Sequence, residues 1–277
     1  MNTFQLMLMS LEDLLLVKLG GSVLTYKDRP FSPRLDVIER LANEIHRARE
    51  KKDIKLVIAH GGGSFPHVPA KKYNLVEGIK DKESLRGIAE TQDAASRLNR
   101  IVVNKLIEAG ENAVSIQPSA SLVAEGGEIV EWYLEPLKGM LERDLIPVPY
   151  GDVVIDRKIG CSIISTEKLL AYLARELKPS RILLLVDVDG VYSSSNPKDF
   201  NESNLIKEIN SKNFRELEAS VSGSYGIDVT GGMLSKVKLM LNLAKEGVES
   251  EILNGLKEGY LERALLGERG LGTRIKY

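Results

Sequence analysis

Three consecutive glycines, Gly61 to Gly63, stand between a strand-like apolar run, Lys55 to Ala59, and a histidine, His67, in the stretch KLVIAHGGGSFPH. Glycine loses more conformational freedom on folding than any other residue. A run of three is therefore retained where the backbone needs unusual dihedrals or where something must approach it closely. The usual visitor is an anion: exposed N–H groups in a turn, followed by the positive end of a helix, form a concavity suited to phosphate or carboxylate. An ordinary loop is the plainer reading of this stretch taken alone.

Three further stretches bear on it. In VKLGGSVLTYK, Lys18 ends an apolar run, Gly20, Gly21 and Ser22 form a turn, and Lys27 follows. A lysine ammonium neutralises a phosphoryl oxygen while neighbouring N–H groups hold others, so this pair would clamp a phosphate chain; a solvated strand-end lysine is the alternative. In DVTGGMLSK, Gly231 and Gly232 open a helical segment and Lys236 lies one turn on, which repeats the logic; Asp228 and Thr230 would also serve as simple caps. In VDVDGVY, Asp187, Asp189, Gly190 and Tyr192 follow another apolar run. Two carboxylates there suit a magnesium ion, a ribose or the orientation of lysines, and an Asp-Gly turn is the bland option. His67 can donate a hydrogen bond to a phosphoryl oxygen in either protonation state. His46 and His60 lack that context and are read as structural. No loop has the spacing G-x-x-x-x-G-K-[ST], so this is not a Walker-type nucleotide binder.

Loops of this kind converge only if the elements beneath them share a sheet. Apolar runs of strand length recur at Leu14 to Leu19, Lys55 to Ala59, Ala113 to Ile116, Ile146 to Pro149, Ile182 to Val186 and Ser250 to Leu253. Several lack polar alternation, as strands covered on both faces do. Helical spacing fills the intervals at Arg34 to Lys52, Ser84 to Ala109, Thr166 to Leu177 and Gly232 to Glu246. Strands alternating with helices predict an α/β fold with a largely parallel sheet between helix layers, ligands binding beyond the carboxyl ends of the strands. Glu125 to Val130 reads as a turn-containing connection and Val153 to Ile159 as a hairpin around Asp156 and Arg157. The polar stretch Ser193 to Asn204 reads as a loop that covers or borders the site.

Composition narrows the partners. The 277 residues carry 38 Lys+Arg against 39 Asp+Glu, a formal net charge of -1, which gives no electrostatic case for nucleic acid. A single cysteine, Cys161, excludes an intrachain disulfide and a cysteine-based zinc site and suits a reducing cytoplasm; it is read as structural. Residues 1–13 read as a leader, with neither the pattern of a signal peptide nor that of a membrane span.

KLGGS, HGGGSF-x-H, DVDGVY and DVTGGM-x-x-K, in that order and with long spacings, resemble the amino acid kinase superfamily over Leu14 to Tyr277. HGGGSFPH with the downstream YGDVVID, Tyr150 to Asp156, is similar to the isopentenyl phosphate kinase family within it. The resemblance implies a three-layer α/β/α sandwich with a mainly parallel central sheet, the amino acid kinase fold. It implies one domain over 14–277, with a phosphoacceptor lobe to about residue 160 and a nucleotide lobe after it, and a homodimer. The implied reaction uses ATP and Mg2+ to convert isopentenyl phosphate to isopentenyl diphosphate in the alternative mevalonate pathway of isoprenoid biosynthesis, in the cytoplasm, with no nucleic-acid or membrane partner.

Carried over by position, the resemblance assigns Lys18, Gly20, Gly21 and Ser22 to the ATP phosphates, with Lys18 also stabilising the migrating group and Lys27 beside it. Gly62 would meet the acceptor phosphate and Gly63 the nucleotide phosphates, while His67 binds the acceptor and favours the transition state. Gly151 would add an N–H on the acceptor side, with Asp152 shaping the loop. Asp187 and Gly190 would line the nucleotide site, Tyr192 would pack near the adenosine, and Gly232 with Lys236 would hold the β- and γ-phosphates. No residue is assigned to the metal. Two departures stand out: Glu167, in Ser165-Thr166-Glu167-Lys168, occupies the place of a family aspartate that orients the lysines, and Pro66 precedes the histidine where glycine is common. The acceptor tail is expected between the loop after His67 and the helix Ser84 to Ala109, which offers Leu85, Ile88, Ala89, Ala95, Leu98 and Val102; ordinary core packing is the preferred reading of that stripe. Rival readings are a fosfomycin-type or other small-acceptor kinase of the same fold, or a non-catalytic nucleotide- or anion-binding member.

Overall fold

The computed structural model describes residues 14–194, 196–215 and 231–277. The leader at 1–13 and the capping candidates Asp228 and Thr230 lie outside the described residues. In chain order the strands are β1 (Leu14–Leu19), β2 (Lys55–His60), β3 (Ala113–Ile116), β4 (Leu122–Glu125), β5 (Glu128–Trp132), β6 (Ile146–Pro149) and β7 (Asp152–Asp156). They continue with β8 (Gly160–Ile164), β9 (Arg181–Val186), β10 (Val191–Tyr192), β11 (Leu205–Ile206), β12 (Glu208–Ile209), β13 (Ser250–Asn254) and β14 (Thr273–Ile275).

The main sheet has the order β12-β14-β13-β9-β1-β2 and is parallel except where β14 runs against β13. β1 lies at its heart, pairing Leu16 with Val57 on one side and with Ile182 on the other. All six residues of β1 are buried, and their alternation divides them between two cores. Leu14 and Leu16 pack with Leu169, Leu170 and Leu173 of the helix Thr166–Leu177 and with Val237 and Met240 of the helix Gly231–Lys245. Leu15, Val17 and Leu19 pack with Ile38, Leu41 and Ile45 of the helix Leu35–Lys51, with Val102 and Leu106 of the helix Lys82–Glu108, and with Leu261 of the helix Tyr260–Leu265. Each fully buried Leu or Ile of this kind contributes about 1.5–3 kcal/mol relative to exposure. Helices on both faces of one sheet make the three-layer sandwich expected from the sequence.

Beyond β2, a parallel bridge from His60 to Tyr150 joins the pair β3-β6 to the sheet edge. A second sheet, β5-β4-β7-β8, follows. The connection expected at Glu125 to Val130 is the two-glycine turn of the β4–β5 hairpin, both glycines having positive φ. The second hairpin turns at Arg157 to Ile159, slightly later than the sequence suggested. Asp156 ties the two turns together: its carboxylate accepts the N–H groups of Gly126, Gly127, Lys158 and Ile159 and the Ser162 hydroxyl at 2.6–3.0 Å. Burial alone would raise its pKa, but these five donors hold it well below the usual carboxylate range. Cys161 is buried against Leu75 and Val153, and burial pushes its thiol up, as befits a structural residue.

Candidate active site

A cavity of about 1820 Å3 opens beyond the carboxyl ends of β1, β2 and β9. Gly20 donates to Leu185 O at 3.0 Å and Gly61 to Leu19 O at 2.9 Å, so the first two glycine loops leave the sheet side by side. They then touch. A Cβ on Gly21 would lie 2.4 Å from Gly63 N, and Gly63 adopts a φ of +52, where a side chain would also strike Thr25 Oγ1. Thr25 knots the pair together, its hydroxyl donating to Gly21 O (2.8 Å) and accepting from Ser64 N (2.9 Å). The glycines therefore serve loop-to-loop contact as well as open N–H groups. Among the described residues no acceptor takes the N–H of Gly21, Ser22, Gly62 or Gly63, and all four residues line the cavity. Thr25 had no mark in the sequence beyond its hydroxyl.

The alternation of β1 turns Lys18 toward the face of Leu14 and Leu16, under the helix Thr166–Leu177. Ser165 caps that helix by accepting from Lys168 N, and Glu167 in its first turn meets Lys18 Nζ at 2.5 Å and Lys236 Nζ at 3.3 Å. Burial alone would raise the Glu167 pKa, but the two lysines hold it down to about 2. Burial also lowers Lys18, with Glu167 opposing the effect. The longer arm of glutamate thus spans both lysines. On the other side, Asp187 accepts from Ser22 Oγ at 2.9 Å and pairs with the exposed Lys27 at 2.9 Å. Those contacts, acting against burial, lower its pKa.

Asp189 turns away from the cavity and binds Lys257 and Asn254, each at 2.8 Å, so the two carboxylates of DVDG do not form one site. The backbone of Gly190 lies against Thr273 at the cavity edge. Tyr192 stacks on Phe200, with ring centroids 4.3 Å apart and planes within 4°. Phe200 and Ser194 line the cavity, so the stretch Ser193 to Asn204 borders it as expected; the aromatic within that polar run was the overlooked signal. Gly232 and Lys236 begin the helix Gly231–Lys245, with Lys236 Nζ 3.0 Å from Gly232 O.

At the opposite end, Pro66 precedes a short helix, His67–Lys72, and its ring fills the space that a Gly62 side chain would need. His67 stands on the rim of the cavity, and its partial desolvation lowers its pKa, leaving a neutral imidazole at neutral pH. Gly151 lines the cavity, but its N–H donates to His60 O at 3.2 Å, which corrects the expectation that it faces an acceptor. Sheet continuation from β2 to β6 claims that donor. Asp152 accepts from Ser119 N (3.1 Å) and Val153 N (2.8 Å), shaping the turn.

The stripe on the helix Lys82–Glu108 packs largely as core, the reading preferred from its spacing. Val68, Val153, Ile163 and Ile164 are among the apolar residues that line the cavity, to which the helix Lys82–Glu108 contributes Thr91 alone. Leu98 packs with Phe65 and Ala94, Val102 lies in the main core, and Leu85 is exposed. The helical stripe holds the glycine loop from beneath rather than facing the cavity. His60 is fully buried under the same loop, as a structural residue. Asn99 Nδ2 lies 3.1 Å from its Nε2, so its Nδ1 donates to Gly61 O at 3.0 Å; its ring stacks on Tyr150. Burial, only partly opposed by that backbone bond, pulls its pKa to about 4. His46 instead contacts Glu111 at 3.0 Å.

Known proteins match this arrangement over its length. The model of the amino acid kinase family matches residues 13–254. The isopentenyl phosphate kinase of Methanothermobacter thermautotrophicus is 43% identical over 270 residues, 95% of this chain and 98% of that protein. The one from Methanocaldococcus jannaschii is 40% identical over 271 residues, 95% and 99% of the respective chains. A crystal structure of an isopentenyl phosphate kinase superposes with a TM-score of 0.81 at 39% identity, covering 95% of this chain and all of that one. On matches of that length and identity, the chain belongs to the amino acid kinase family, in its isopentenyl phosphate kinase branch.

Proposed function

We propose that the protein transfers the γ-phosphoryl group of ATP to isopentenyl phosphate, giving isopentenyl diphosphate and ADP. The observation that carries this reading is the interlocking of the two glycine loops, which gathers four N–H groups with Lys18, Lys27 and Lys236 at one cavity that His67 also lines. The close relatives favour it over a fosfomycin-type or non-catalytic reading.

Both reactants are anions, so the barrier contains repulsion as well as alignment, and cations and N–H donors must offset it. An oxygen of the acceptor phosphate attacks the γ-phosphorus while the bond to the β,γ-bridging oxygen breaks, and ADP leaves with the electron pair. No general base is needed, because a monophosphate's second pKa is about 6. Lys18, Gly21, Ser22 and Gly63 would hold the ATP phosphates, with Gly232 and Lys236 on the β- and γ-groups; Gly20, whose N–H is committed to Leu185 O, lines the cavity without donating. Lys27, held by Asp187, stabilises the migrating group. Gly62 N–H and His67 donate to the acceptor, the imidazole being a donor in either protonation state, and Gly151 bounds that end without donating. Gly190 and the Tyr192–Phe200 stack face the adenosine.

Among the described residues no group of three or more His, Cys, Asp or Glu could hold a metal. Magnesium would arrive with the ATP phosphates and would supply neutralisation of their charge. The lobe division near residue 160, a homodimer and a cytoplasmic place in isoprenoid biosynthesis belong to the same reading. No described helix is long and apolar enough to cross a membrane.

A coupled ADP-release assay with magnesium, ATP and a panel of isopentenyl phosphate, fosfomycin, N-acetylglutamate and uridine monophosphate tests the proposal. Selective turnover of isopentenyl phosphate is the expected result. Turnover of another acceptor, or silence with ATP still bound, would overturn it.

A further inference from the structure

The lysines around the cavity differ in one respect. Lys18 and Lys236 reach Glu167, Lys27 reaches Asp187, Lys168 reaches Glu128 at 2.7 Å, and Lys72 lies 3.7 Å from Glu90 while donating to its neighbour Tyr73. Lys71 lines the same cavity and, among the described residues, has no carboxylate, hydrogen-bond or ring partner. It follows His67 by four positions in the helix His67–Lys72, which sets the two side chains on one face. Both reach solvent at the mouth beside Val68.

A monophosphate acceptor arrives largely as a dianion. His67 offers one imidazole donor, Gly62 only an N–H, and the other cavity lysines already face carboxylates. The acceptor end therefore holds one uncompensated cation among the described residues. We infer that Lys71 is an acceptor-binding residue: its ammonium captures the dianionic phosphate at the mouth and holds it against Gly62 and His67. This rests on the reading of the cavity as a kinase site whose acceptor enters beside His67. A contact of that kind acts on ground state and transition state alike, so it belongs to KM for the acceptor rather than to kcat.

Two measurements on the full chain test it. In steady-state kinetics at low salt, Lys71→Gln should raise KM for isopentenyl phosphate about tenfold, with kcat and KM for ATP within about twofold of wild type. Added potassium chloride should narrow that gap, and Lys71→Arg should recover most of it. In calorimetry on protein saturated with magnesium and a non-hydrolysable ATP analogue, Lys71→Gln should bind inorganic phosphate about tenfold more weakly than wild type. If isopentenyl phosphate is not turned over by wild type, the kinase assignment fails while the phosphate titration still decides Lys71. Unchanged acceptor KM with unchanged phosphate affinity overturns the inference. An equal rise in both KM values does so too, because it would give Lys71 to the nucleotide.

Discussion

Glu167 is the residue whose removal the structure prices most directly. Its carboxylate, 13% exposed, lies between Lys18, 7% exposed, and Lys236. Lowering its pKa from 4.5 to about 2 corresponds to about 3 kcal/mol at neutral pH. That stabilisation is complete above the unfolded value and is lost as pH falls toward 2. Lys18 shifts the opposite way for a paired lysine, because burial depresses it more than Glu167 restores it. The pair is therefore worth less than the carboxylate alone suggests, whereas breaking it leaves Lys18 buried beside Lys236 with no counter-charge. Removing one partner of a buried pair costs about 3–5 kcal/mol, roughly 6–20 °C in Tm for a domain of this size. We expect thermal unfolding of apo Glu167→Gln at neutral pH to show that fall. Saturation with magnesium and a non-hydrolysable ATP analogue should reduce it, since phosphates then face the two lysines. The double variant Lys18→Met/Glu167→Gln should be more stable than Glu167→Gln alone, because no uncompensated charge remains buried. A Tm for Glu167→Gln within about 2 °C of wild type, or a double variant less stable than the single, would refute the reasoning.

Three other outcomes are expected. His67→Ala should lower kcat by about 10²- to 10³-fold, the loss of one transition-state donor, with Tm nearly unchanged because the residue is exposed; a large fall in Tm would instead make it structural. Lys27→Ala should reduce kcat far more than affinity for ATP and leave Tm in place, since an exposed pair contributes about 0–1 kcal/mol; equal losses in kcat and affinity would reduce it to a binding residue. His60, held near 4 against an ordinary 6.5, stays neutral while the unfolded chain takes up a proton. Its contribution is whole above pH 6.5 and shrinks by about 3 kcal/mol as pH falls to 4. Urea unfolding across that range should show a shallower pH slope for His60→Gln than for wild type, and parallel slopes would count against a buried neutral imidazole.

The alternation of apolar runs and helical periods was enough to establish a parallel sheet between helix layers, because burial on both faces leaves its mark residue by residue, as in Leu14 to Leu19. The ordered glycine loops likewise identified Lys18, the Gly61 to Gly63 turn, Asp187 and Lys236 as cavity residues from local pattern alone. Side-chain pairing across distant segments was another matter. That Glu167 spans two lysines, that Thr25 knots two loops, and that Asp189 leaves the site for Lys257 depend on how separate strands and helices dock, for which no local spacing carries a signal. The same holds for the cavity wall. An amphipathic stripe on the helix Lys82–Glu108 is compatible with lining a cavity and with filling a core, and only the packed structure gave that stripe to Phe65 and the core while leaving Val68 and Ile163 among the residues that line the cavity. Gly151 makes the point at a single atom: the sequence places it at the site, but the parallel bridge to His60 decides where its N–H goes.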